Sequence, residues 1–214
     1  MPPFLTKKDL KQRILSEILV SSQNFSSHMK AITKSAFYHL KNIAKLRGFM
    51  SKDDLKKLIH AFISSRVDYC NGLFTGLPKK KLKLLQMIQN AAARILTKTK
   101  RTDHITPILK YLHWRPVSYR IDFKALLLVF KSLNGIGPKY LSDMFQQYVP
   151  LRSLRSQHKF LLVKPTVQTK QGEAALSHYA VHLWNQLPED IKNAPTTFSF
   201  KSRLKTKLFS DAFC

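Results

Sequence analysis

This 214-residue chain has little cysteine, little glycine, few acids and no long apolar run, and each shortage excludes something. Only two cysteines, Cys70 and Cys214, occur, far apart. They make neither a disulfide framework nor a zinc knuckle, so a reducing compartment, nuclear or cytoplasmic, is expected. Six scattered glycines supply no phosphate-cradling loop. The longest apolar run, Ala125 to Phe130, is six residues, against about 20 needed to span a bilayer. No membrane partner is therefore expected. Lys7, Lys8, Lys11, Arg13 and Glu17 break up the apolar stretches near the N-terminus, which does not read as a secretory leader.

The acid shortage carries the most information. Twelve Asp and Glu face thirty-seven Lys and Arg, leaving a formal net charge of +25 and a pI near 10.3. Like charge opposes compaction and favours polyanions, of which nucleic acid is the commonest. With 44% apolar and 11% aromatic residues, the chain still has a globular composition, enough for one large domain or two small ones.

What is present reads mostly as helix. Leu10, Ile14, Leu15, Ile18 and Leu19 have helical spacing. Met29, Ile32, Ala36, Leu40 and Ile43 step by three and four, which predicts one buried stripe. Ser51 and Asp54 form a variant of the capping box ahead of Leu55, Leu58, Ile59, Phe62 and Ile63. The turn-rich NGLFTGLP leads to Pro78, placed to open a helix carrying Leu82, Leu85, Gln89, Ala92 and Ile95. Thr106-Pro107 opens a short helix, and Pro116 a longer one ending at Asn134-Gly135. Another short helix should follow Gly137-Pro138. FLLVKPTVQT, residues 160–169, predicts one short β-hairpin around Lys164-Pro165. Leu176 to Leu187 predicts a buried helix stopped by Pro188, and a last helix starts near Thr197. The fold expected is mainly α.

Catalytic patterns are sparse. His178 and His182 have the i, i+4 spacing that lets two imidazoles share a metal, but Tyr179 stands where a metalloprotease needs its glutamate. Two partly buried polar residues on an amphipathic helix is the simpler reading. Asp53-Asp54 is the paired carboxylate nearest in form to a two-metal site, yet SKDDLKK reads as a helix start, where acids meet the positive end of the dipole. No catalytic site, no metal and no cofactor is expected, and so no enzyme activity in isolation.

The cations cluster. Lys79, Lys80, Lys81 and Lys83 crowd one predicted helix start, and Lys98, Lys100 and Arg101 follow its end. From Lys79 to Lys110 nine basic residues face Asp103 alone. Phosphates docking there would meet lysines, free N–H groups and the helix dipole together; a solvated lysine face is the competing reading. Arg120, Lys124 and Lys131 share a face of the helix after Pro116, with Trp114 and Arg115 just ahead of it. A tryptophan beside arginine can stack on unpaired bases, although wedging under the next helix is its commoner role. Arg152 and Arg155 in LRSLRS either contact phosphate or serve solubility.

Six segments in order carry a family resemblance: FSSHMKAITKSAFYHLKNIAKLR, SRVDYCNGLFTGLPKKKLKLLQMIQNAAARILT, DHITPILKYLHWRPVSYRIDFKALLLVFKSLNG, LRSLRS, LWNQLPEDIK and FKSRLKTKLF. Together they resemble the C-terminal part of the polyprotein of non-LTR (LINE-type) retrotransposons. The resemblance implies that residues 24–98 are similar to the thumb of a reverse transcriptase, a helical bundle gripping the primer–template duplex. Residues 99–214 would be the basic helical region that follows it, and residues 1–23 depart from the family pattern. Its implied partners are RNA or an RNA/DNA duplex and the palm and fingers that precede the thumb in intact relatives. The palm's Tyr-x-Asp-Asp signature has no match here. A protein-interaction module docking a separately encoded palm, and a retroelement remnant without function, are the alternatives.

Overall fold

The protein, as a computed structural model, is described over residues 29–69, 71–150 and 160–214. These residues divide into two compact units between Arg66 and Val67. The expected helix over Leu10–Leu19, and Arg152 and Arg155, lie outside the described residues.

The first unit is a pair of helices. Helix α1 (29–46) buries Met29, Ala36, Leu40 and Ile43, four of the five residues of the stripe its spacing predicts; Ile32 is half-buried. Helix α2 (Lys52–Ile59) continues through a π-helical turn (His60–Ser64) into α3 (Ser65–Asp68), burying Leu55, Ile59 and Ile63. Ser51 caps α2: its Oγ accepts from the Asp54 N–H at 3.2 Å and donates to the Asp54 carboxylate at 2.7 Å. Asp54 also pairs with Lys57 at 3.0 Å, and these partners hold its pKa below the usual carboxylate value. Asp53-Asp54 is therefore a helix start, as its sequence context predicts. Arg66 donates to Ser35, and His39 stacks on Phe62 at 5.2 Å. The two contacts run in opposite chain order, so the helices are antiparallel.

The second unit is built around one helix. It follows a 3₁₀ turn (Asn71–Phe74), α4 (Lys79–Thr97) and α5 (Ile105–Tyr111). The central helix is α6 (Val117–Leu133), followed by α7 (Lys139–Ser142), α8 (Lys170–Ala174), α9 (Leu176–Gln186), α10 (Glu189–Lys192) and α11 (Thr197–Phe213). The 3₁₀ turn, α4, α7, α9 and α11 all pack on α6. Its apolar run Ala125–Phe130 is what this position requires, since neighbours on several sides leave few places for polar side chains. The main core joins α6 to α9 and α11: Phe130 stacks on Phe200 with centroids 4.1 Å apart, and Trp184 lies tilted against Phe200 at 6.1 Å.

Helix ends follow local chemistry. Gly135 (φ +68) closes α6 in a Schellman motif, with Ile136 N–H on the Lys131 carbonyl and Gly135 N–H on Ser132. His113 (φ +54) does the same for α5, with Trp114 N–H on Leu109 and His113 N–H on Lys110. At Gly76 (φ +71) a Cβ would lie 2.4 Å from the backbone of Ala174, so only glycine fits between the 3₁₀ turn and α8.

The hairpin expected over 160–169 does not form. Leu162 bridges instead to Gln147, flanked by Tyr148 N–H on Leu161 and Val163 N–H on Gln146. Its own N–H and C=O are taken by the Asn185 amide of α9, at 2.9 and 3.0 Å. A side chain thus replaces the second strand, and Pro165, lacking an N–H, is a poor ladder partner in any case.

Candidate nucleic-acid interface

Helix α4 carries no acidic residue, and no side chain caps its start, where Pro78 is the N-cap. The Lys81 N–H is taken by the Pro78 carbonyl at 2.9 Å, while a helix start with no side-chain cap keeps the positive end of its dipole open to an anion. Lys79 opens the helix; Lys80 and Lys83 are exposed and Lys81 is half-exposed beside it.

The opposite end holds the second cluster. Lys98 is the C-cap in the left-handed region (φ 58, ψ 26). Beyond it, Asp103 accepts from the Lys100 N–H at 3.1 Å, and the Asp103 carbonyl accepts from Arg94 at 3.1 Å. That staple leaves Lys98, Lys100 and Arg101 exposed. Nineteen residues at 1.5 Å each separate the two clusters by about 28 Å. They are two cationic clusters carried by one helix, each at a terminus.

Lys98 in the left-handed region costs roughly 1 kcal/mol. Lys98→Gly is expected to raise stability by about that amount. The same change should flatten the salt dependence of duplex binding by about one unit if Lys98 meets a phosphate. Urea melts and binding titrations on the one variant check both.

The helix after Pro116 presents its cations differently. Arg120 forms an ion pair with Asp68. Arg115 lies with its guanidinium 4.7 Å from the centroid of Phe123 and one Nη buried without a partner. Burial pushes the Arg115 pKa down, and the charge of Arg120 pushes the same way, against Asp68. Lys124 is exposed and Lys131 half-exposed. Arg115 and Arg120 are thus engaged within the unit, with Lys124 the most open of this group.

Buried polar residues explain how α4 and α6 are held. The Gln89 amide donates to the Arg115 carbonyl and Gln86 accepts from the Val117 N–H, both at 2.8 Å, clasping the start of α6 around Pro116. Gln89, placed by sequence in an apolar stripe, is buried for this purpose. Trp114 is half-buried.

Elsewhere, Asp122 on α6 accepts from the Tyr179 hydroxyl at 2.9 Å. Burial raises the Asp122 pKa to about 6, while burial and then the Asp122 charge push Tyr179 up. His178 faces the Glu173 carbonyl and His182 the Gln186 amide, each at 3.2 Å. Among the described residues no group of three or more His, Cys, Asp or Glu is placed to hold a metal, and no helix is long and apolar enough to cross a membrane.

No family model matches the chain, and neither a characterised protein nor a solved structure does so.

Proposed function

We propose that this chain is a nucleic-acid-binding module without sequence readout, similar to the thumb and following region of a LINE-type reverse transcriptase and lacking a polymerase centre of its own. The observation carrying this reading is α4: an acid-free rod with cations at both ends and an uncapped, positive start. With twelve acids for thirty-seven bases, most of the cations have no carboxylate of their own in the chain. Lys80, Lys83, Lys98, Lys100 and Arg101 are exposed around α4 and can meet phosphate. The ligand is RNA or an RNA/DNA duplex, met in the nucleus or cytoplasm, with Lys80, Lys81 and Lys83 on one stretch of backbone and Lys98, Lys100 and Arg101 on another. Contacts of this kind position a duplex without reading bases.

The triple variant Lys80→Gln, Lys81→Gln, Lys83→Gln tests it. Duplex affinity is expected to fall by a similar factor for unrelated sequences, with the fold unchanged by circular dichroism. Unchanged affinity, or a loss confined to one sequence, contradicts the proposal.

A further inference from the structure

The outer face of α1 has a pattern that the duplex reading does not use. Between Glu17 and Asp53 the chain contains no acid. Within α1, Lys30, Lys34, Phe37, Lys41 and Lys45 recur every three or four residues, with Tyr38 beside Phe37. At 100° per residue these six fall within about a third of the helix circumference, opposite the buried Met29, Ala36, Leu40 and Ile43. All six are exposed, Tyr38 to 64% and Phe37 to 40%. Phe49, just past the helix end, is 90% exposed.

The Tyr38 ring is braced. Tyr38 stands edge-on to His39 at 5.6 Å, and His39 stacks in turn on Phe62 at 5.2 Å. Phe62 sits in the π-helical turn His60–Ser64, an irregularity often found where a helix serves a site. A ring supported from behind loses little freedom when a ligand stacks on it.

From this geometry we infer that the outer face of α1 is a platform for single-stranded nucleic acid. The lysines neutralise the backbone, and Phe37 and Tyr38 stack on unpaired bases. Charge decides the occupant. A protein partner docking on exposed aromatics would meet four lysines and no acid, whereas a single strand supplies phosphates and flat bases together. A duplex supplies phosphates but hides its base faces, so the aromatics add nothing for it. Lys30 to Lys45 span about 22 Å of helix, room for several nucleotides. These residues are distinct from the α4 clusters and belong to the other unit.

The test uses the full chain, an oligo-U strand and a blunt duplex. Leucine at both aromatic positions keeps apolar surface and helix propensity but has no π face. Phe37→Leu with Tyr38→Leu is expected to weaken oligo-U binding by at least about tenfold and to leave duplex binding unchanged. Lys34→Gln, Lys41→Gln and Lys45→Gln should flatten the salt slope for oligo-U by about two. Unchanged oligo-U affinity in the folded double leucine variant overturns the platform, and so does an equal loss for strand and duplex. Absent oligo-U binding by the unmodified protein overturns it as well. The duplex arm reports separately on α4, so either reading can fail alone.

Discussion

Trp184→Ala is expected to destabilise the second unit by about 3–5 kcal/mol, a large part of the 5–15 kcal/mol typical of a whole domain. The side chain is 2% exposed and lies in the core shared by α6, α9 and α11. Truncation leaves a cavity beside Phe200, and the interior relaxes only partly around such voids. It also strips the Phe160 carbonyl of the indole N–H that it accepts at 2.9 Å, adding the cost of a polar group left without its partner. Urea melts followed by far-ultraviolet circular dichroism measure the loss. Trp114→Ala is the internal comparison, since that ring is only half-buried and should cost less. A loss below about 1 kcal/mol at Trp184 would contradict the assigned core.

Asp122→Asn is expected to do the reverse. The carboxyl titrates near 6 in the fold instead of 3.8 because burial disfavours its charge. Between those values the folded state binds more protons than the unfolded state, so stability falls as pH rises. The loss is complete once the pH has passed through the folded value, and it is on the order of 3 kcal/mol. Asparagine retains an oxygen for the Tyr179 hydroxyl without carrying the charge. The variant should therefore match the natural chain near pH 4 and exceed it by up to that amount at pH 8. Urea midpoints across this window test the sign. Equal stability at pH 8, or a variant weaker at every pH, rules out a buried charge as the cause.

Local signals were legible in the sequence where local chemistry decides. Pro116 and Gly135 bracket α6, Ser51 and Asp54 start α2, and Pro188 stops α9, each through groups within a turn of the boundary. The failed hairpin shows the limit. Residues 160–163 are β-rich, but Gln147 and Asn185 pair with them from separate parts of the chain, and no propensity encodes that choice. Nothing local explains a glutamine at position 89 of an apolar stripe, because the carbonyl it serves belongs to Arg115, outside α4.

The basic character of the surface was equally plain, while the availability of each cation was not. Arg120 reads as a free arginine until Asp68 is beside it, and Arg115 until Phe123 lies under it. The α1 face proposed as a platform is written in the same spacing as its apolar stripe. Steps of three and four bury Met29, Ala36, Leu40 and Ile43 on one side and set Lys30, Lys34, Phe37, Lys41 and Lys45 on the other.

The salt dependence of duplex binding by the unmodified chain tests the central claim most directly. Six phosphate contacts, three at each end of α4, give a slope of log K against log salt near −5 for duplex DNA. Affinity should then fall about a thousandfold between 50 and 200 mM salt. A slope flatter than about −2, or binding no tighter at 50 mM than at 200 mM, would mean that the cations of α4 face only water.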